Sequence, residues 1–270
     1  MSPIAGPGGI LAVVGMAREA KILGPDAPVL IGGGDAAALA VALEAALAVG
    51  VAGVVSFGLC GALDPSLEVG DLVIGEAVLD GSGELAADGA WTERLAAALP
   101  DARRGAVAHA ERPVASVADK AALQAATGAL AVDMESHVVA RLARAYGAPF
   151  AVVRSVSDGA RRALPHAAQV GLAADGRPAI GPVMASLRSN PFQIGALIRT
   201  AFEAEDGFQA LERAHRTLGH RLAGPGKADA LVDHLNAEPA PSMAIISVNR
   251  AFGAWKPKRP QKTLRSSDGA

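Results

Sequence analysis

Along the first 160 positions, short apolar runs bounded by glycine or polar turns alternate with segments of helical spacing. Residues 10–14 and 29–31 are continuously apolar, as expected of strands buried on both faces. Residues 16–21 follow Gly15 as the start of a helix or loop beside the first strand end. The alanine-rich stretch 36–49 predicts a helix, and 51–56 a third strand ending in a glycine loop at 57–63. Further on, 72–74 reads as a strand, 81–89 as turns, 91–99 as a helix, 107–109 and 114–116 as short strands, and 119–126 as a helix. Residues 130–132 lead into a block in which Val138, Val139, Leu142, Ala143 and Tyr146 share one helix face. Gly147 caps that helix and Pro149 stops it. Residues 150–153 form a buried strand broken by a polar turn at 157–159. This alternation predicts an α/β layered body.

The pattern then changes. Asn190-Pro191 introduces a helix with Ile194, Leu197, Ile198, Ala201 and Phe202 on one face, and a second helix spans about 206–222. Together with Phe192, these apolar residues fit two readings. Either they pack the helix on the core, as amphipathic helices usually do, or they wall a pocket for a bulky apolar ligand. The expected main domain covers 1–224, and 225–270 reads as a linker with a proline-rich, basic, disordered tail. The last twenty residues hold five Lys/Arg and one Asp, a net +4, against −2 for all 270 residues. Such an end has the charge for anionic lipid headgroups, a peripheral membrane contact.

Composition narrows the class. Apolar residues make 51% of the chain and aromatics 3%, so the core must be built from Ala, Val and Leu. A charge of −2 lacks the basic footprint that nucleic acid requires. One cysteine, Cys60, excludes an internal disulfide and suits the cytoplasm. Residues 45–63 carry no formal charge, but Gly50, Gly53, Gly58 and Gly61 interrupt them, so a membrane span is not expected. Cys60 reads as a packed thiol. His109 and His137 stand apart in sequence and no metal-ligand spacing is present, so no metal is expected.

Candidate chemistry gathers at 131–158. Asp133 and Glu135 flank Met134 at a helix start, and Ser157-Asp158 ends a strand. Singly, each acid has a structural explanation, in the helix dipole or in turn capping. In open α/β sheets, however, ligands bind where strands end. The block V-D-M-E, helix, strand, S-D resembles the nucleoside phosphorylase and nucleosidase superfamily. The glycine segment 57–63 and the following G-D-L-V at 70–73 resemble it in a separate region. The extension beyond Asp158, with R-A-L-P, D-G-R-P and N-P-F-Q-I-G-A-L-I-R, is similar to the hopanoid-associated phosphorylase branch, whose members are associated with removing adenine from adenosylhopane to leave ribosylhopane.

This resemblance implies a three-layer α/β/α sandwich with a central mixed sheet, and cleavage of a purine N-glycosidic bond. It implies that Asp158, oriented by Ser157, protonates the leaving base, and that Glu135 accepts hydrogen bonds from the ribose hydroxyls. Glu19 would activate water. Met134 would pack on the sugar, Asp133 would lie beside it, Gly58 and Leu59 would let backbone approach the nucleoside, and Arg154 would order the carboxylates. Arg18 is the candidate phosphate ligand, with inorganic phosphate as co-substrate and no other cofactor. Ser56 and Leu59 stand where phosphate-using members commonly have arginine and serine, which favours water. The ligand is a small-molecule or lipid-linked nucleoside, and relatives are often homo-oligomers. A salvage nucleosidase or phosphorylase and a non-catalytic nucleoside-binding protein are the alternatives.

Overall fold

A computed structural model of the chain describes residues 8–173 and 175–225; the tail expected beyond 225 lies outside them. The strands are β1 (Ile10–Val14), β2 (Val29–Ile31), β3 (Gly53–Ala62), β4 (Leu72–Leu79), β5 (Glu84–Ala86), β6 (Arg103–His109), β7 (Ala131–Asp133) and β8 (Phe150–Asp158). The helices are α1 (Ala17–Leu23), α2 (Ala36–Val49), α3 (Gly89–Ala98), α4 (Val117–Thr127), α5 (Ser136–Ala145), α6 (His166–Gln169), α7 (Ile180–Ser189) and α8 (Ile194–Leu218), with a 3-10 turn at Pro191–Gln193 before α8.

All eight strands join one mixed sheet with helices on both faces. From the β2 edge, β2, β1 and β3 run parallel. β8 lies parallel to β3, from Val54 opposite Phe150 to Gly61 opposite Asp158, and antiparallel to β4. β4 continues to β6 and β6 to β7, both parallel, and β7 returns antiparallel to Gly61 and Ala62 at the end of β3. The middle of the sheet therefore closes into a ring of five strands, β3-β8-β4-β6-β7, with β5 added at β4.

Alternating side chains feed two apolar layers, as the two-residue strand period requires. Leu11 and Val13 of β1 and Phe150 and Val152 of β8 meet α2 and α5 on one face. Ile10, Ala12, Val14, Ala151 and Val153 meet α1, α3 and α8 on the other. Trp91 of α3 is wholly buried, and its indole N–H donates to the Leu222 carbonyl at 2.8 Å, tying the end of the described chain to the second layer.

Several elements differ from the sequence expectation. The third strand does not stop at residue 56 but runs through the supposed glycine loop, because Gly58 to Gly61 keep pairing with Arg154 to Asp158. For the same reason β8 includes Ser157 and Asp158 rather than turning there. Residues 114–116 form no strand, whereas β5 arises inside the stretch read as turns. The two helices expected after Pro191 are one, 25 residues long. Asp206-Gly207 resembles a helix start, but Gly207 sits inside the helix because a Cβ there would lie 2.8 Å from Leu59 Cδ2.

The expected packing of Phe192, Ile194, Ile198 and Phe202 on the core is also overturned. They are 96%, 46%, 53% and 69% exposed. No residue of α8 before Gly207 is buried.

Candidate active site

Two acids, Glu19 and Asp158, lie against Gly58 and Gly61 of β3, and a third, Glu135, lies at the neighbouring ends of β1 and β2, each brought there by a different element. Glu19 comes from the first turn of α1. It is buried, and its carboxylate accepts from Leu59 N at 2.7 Å and from Met16 N at 2.8 Å. A Cβ on Gly58 would stand 2.5 Å from Glu19 Oε1 and 2.9 Å from Arg154 Nη1, so this strand position must lack a side chain for the pair to lie against it. Burial pushes the Glu19 carboxyl above its ordinary range, while the neighbouring Arg154 charge and the backbone N–H groups act the other way.

Glu135 immediately precedes α5. Its carboxylate lies against the ends of β1 and β2, where a Cβ on Gly15 would be 3.0 Å from Oε1 and one on Gly32 3.0 Å from Cγ. Burial pushes its pKa up to about 7; Arg154 opposes the shift, and the like charges of Asp133 and Glu19 add to it. Met134 is half-buried with its methyl group facing Gly34.

Arg154 is the hub. Wholly buried on β8, it lies 2.6 Å from Asp133 and 3.7 Å from Glu135, and donates to Ser56 Oγ at 2.6 Å, Ser136 Oγ at 3.1 Å and the Leu59 carbonyl at 3.3 Å. Asp133, at the end of β7, accepts from Ser136 N at 3.0 Å and from the Ser136 hydroxyl. The carboxylate expected to lie beside the sugar is thus held between Ser136 and Arg154. Ser56 is buried and bonded to Arg154 and Ser136.

Asp158 ends β8, four residues beyond Arg154. A Cβ on Gly61 would lie 3.1 Å from its Oδ2, and the Ser157 hydroxyl donates to Oδ1 and to the Cys60 carbonyl, both at 3.2 Å. Gly58 and Gly61 are three residues apart, so the two groups of acids flank about 10 Å of strand. Both reach Cys60 between them: burial chiefly pushes its thiol up, Arg154 lowers it, and the charges of Asp133, Asp158 and Glu19 raise it further. That thiol is a packed, unreactive group.

The partner of Asp158 is a residue that the sequence reading missed. Lys120, from α4, is completely buried and forms an ion pair with the Asp158 carboxylate. Its ammonium also donates to the carbonyls of Gly159 at 2.9 Å and Arg162 at 3.1 Å. All three N–H bonds are therefore used, which is what makes a buried lysine tolerable. A signal was present: Lys120 precedes Leu123 by three positions and Thr127 by seven, on the inward face of α4.

Arg18 is not gathered with the acids. It is exposed, pairs with Glu205 at 2.7 Å and lies over the Phe208 ring at 4.1 Å. His109 and His137, distant in sequence, are brought together with ring centroids 3.4 Å apart. Burial lowers both pKa values, that of His137 to about 4. Among the described residues no group of three or more His, Cys, Asp or Glu is placed to hold a metal ion.

Residues 12–180 match the model of the phosphorylase superfamily. The chain belongs to that superfamily. Solved structures place its fold beside nucleosidases. One is 5′-methylthioadenosine/S-adenosylhomocysteine nucleosidase of Helicobacter pylori, 17% identical, with 77% of this chain and 98% of that one covered and a TM-score of 0.52. Another is futalosine hydrolase of the same organism, at 16% identity, 76% and 96% coverage and 0.51. The methylthioadenosine/S-adenosylhomocysteine nucleosidase of Streptococcus pneumoniae follows at 18%, 75% and 99%, and 0.50. No curated protein matches the chain.

Proposed function

We propose that the protein is an enzyme that hydrolyses the N-glycosidic bond of a purine nucleoside. Superfamily membership and the likeness to nucleosidases support the reaction class. The observation that carries the reading is the placement of Glu19 against Gly58 and of Asp158 against Gly61 of β3, with Glu135 at the neighbouring ends of β1 and β2 and Arg154 beside it.

Cleavage leaves positive charge on the sugar and negative charge on the departing base. Asp158 meets the base and passes it a proton while the paired Lys120 ammonium gives one of its own to the carboxylate, so that the base leaves neutral and Lys120 is left as the amine. Lys120 and the Ser157 hydroxyl together orient the carboxylate. Glu135 accepts from the ribose hydroxyls and sets a fixed negative charge near the forming cation. Glu19, poorly solvated and therefore more basic than an exposed glutamate, takes a proton from the attacking water.

Water is favoured over phosphate because the two cations beside the acids are committed and the third candidate, Arg18, lies away from them and is paired. Arg154 holds Asp133 and Glu135, Lys120 holds Asp158, and Arg18 is paired with Glu205. The sequence extension supports adenosylhopane as the substrate, with ribosylhopane and adenine as products. The test compares adenine release from adenosylhopane and methylthioadenosine, each with and without phosphate. Release without phosphate, faster from adenosylhopane, is expected. Strict phosphate dependence with ribose 1-phosphate formed would replace hydrolysis by phosphorolysis, and preference for methylthioadenosine would replace the lipid substrate by a salvage one.

A further inference from the structure

The helical arm from α7 into the first half of α8 has apolar side chains in solvent. Ile180 and Met184, one turn apart on α7, are 72% and 47% exposed. Phe192, in the 3-10 turn joining the helices, is almost fully exposed. Ile194, Ile198 and Phe202 then repeat at four-residue spacing and form one stripe along α8. Scattered apolar surface residues need no explanation, but six within 23 positions, two of them phenylalanines, mark an interaction surface.

The charges of the same segment select its partner. Residues 177–202 contain Arg177, Arg188 and Arg199 and no acidic residue. Arg188 and Arg199 are exposed and make no ion pair among the described residues. A second copy docking face to face would set this patch against itself, arginine towards arginine, with no acid in the patch to neutralise them. A surface that is apolar below and anionic above satisfies both features, as for helices that lie in a membrane interface. We propose that residues 180–202 dock the protein on an anionic lipid bilayer, with Phe192, Ile198 and Phe202 entering the boundary of the acyl chains and Arg188 and Arg199 meeting the headgroups. The inference rests on exposure and charge and stands apart from the reaction.

The test is co-sedimentation of the full chain with vesicles of phosphatidylcholine alone or mixed with phosphatidylglycerol. Wild type is expected to pellet with the mixed vesicles and far less with the neutral ones. A Phe192→Ser/Ile198→Ser/Phe202→Ser variant should lose more than about tenfold in partitioning, since each side chain carries roughly the burial energy of one such factor. Arg188→Gln/Arg199→Gln should lose on the order of tenfold and flatten the dependence on phosphatidylglycerol. Melting temperatures unchanged from wild type would show that the variants fold. The proposal is overturned if wild type stays in the supernatant, or if the triple variant pellets as well as wild type, which assigns binding elsewhere in the chain. It is overturned too if sedimentation equilibrium shows a wild-type dimer that the triple variant converts to monomer.

Discussion

The sheet centre and the helical arm break the ordinary rule of burial in opposite senses. Around β3, charged groups are inside: Glu19, Lys120, Asp133, Glu135, Arg154 and Asp158 are all buried. Along 180–202, large apolar groups are outside. Helix α8 contains the contrast within itself, since Phe208, Leu211 and Leu218 of its second half complete a core layer while Ile194, Ile198 and Phe202 of its first half touch none. The central charges persist because each has partners, and this order is what lets acids be held ready for a reaction. The arm has nothing of its own to pair with, so its chemistry points out of the molecule.

Breaking the central cluster should cost most. Arg154→Met leaves Asp133 and Glu135 buried without their cation, and a loss of about 3–5 kcal/mol in unfolding free energy is expected from denaturant titration. Close behind is Leu211→Ala in the second half of α8, at about 2–5 kcal/mol; Ile198→Ala in the first half should stay within about 0.5 kcal/mol of wild type. If the two α8 substitutions cost the same, the contrast between the halves is wrong. Lys120→Met strands the Asp158 carboxylate and two carbonyls and should cost about 1–3 kcal/mol, together with a fall in kcat that exceeds any change in KM.

A pH dependence separates the two regions as well. Glu135 has a folded pKa of about 7, above its ordinary 4.5, so the folded state binds the proton more tightly than the unfolded one. Stability is then greatest below 4.5, falls as pH rises towards 7, and changes no further above it. Glu19 shifts in the same direction. Glu135→Gln should flatten the melting temperature across that window, while substitutions in the arm leave the wild-type slope.

Much of this was legible in the residues. The first two strands and α2 follow from unbroken apolar runs and an alanine-rich stretch, and fall where the pattern puts them. The site's acids were visible as a motif, because V-D-M-E and S-D are short and local. Their supports were not. Lys120 reaches Asp158 across 38 positions and Ser56 meets Ser136 across 80, pairings that only the closed ring of strands creates. The glycine-rich second half of β3 read as a loop because its local propensity is poor; its pairing with β8 outweighs that. The arm misled for the converse reason. Amphipathic spacing says that a helix has an apolar face, not which surface the face will meet.

The most direct test of the central claim is turnover of an adenosyl nucleoside in phosphate-free buffer by wild type and by Asp158→Asn, with nucleoside affinity measured alongside. The account predicts adenine release by wild type, a loss of about 10²–10⁴ in kcat for the variant, and nearly unchanged affinity. Equal turnover by both proteins, or tight binding by wild type with no release at all, would contradict it.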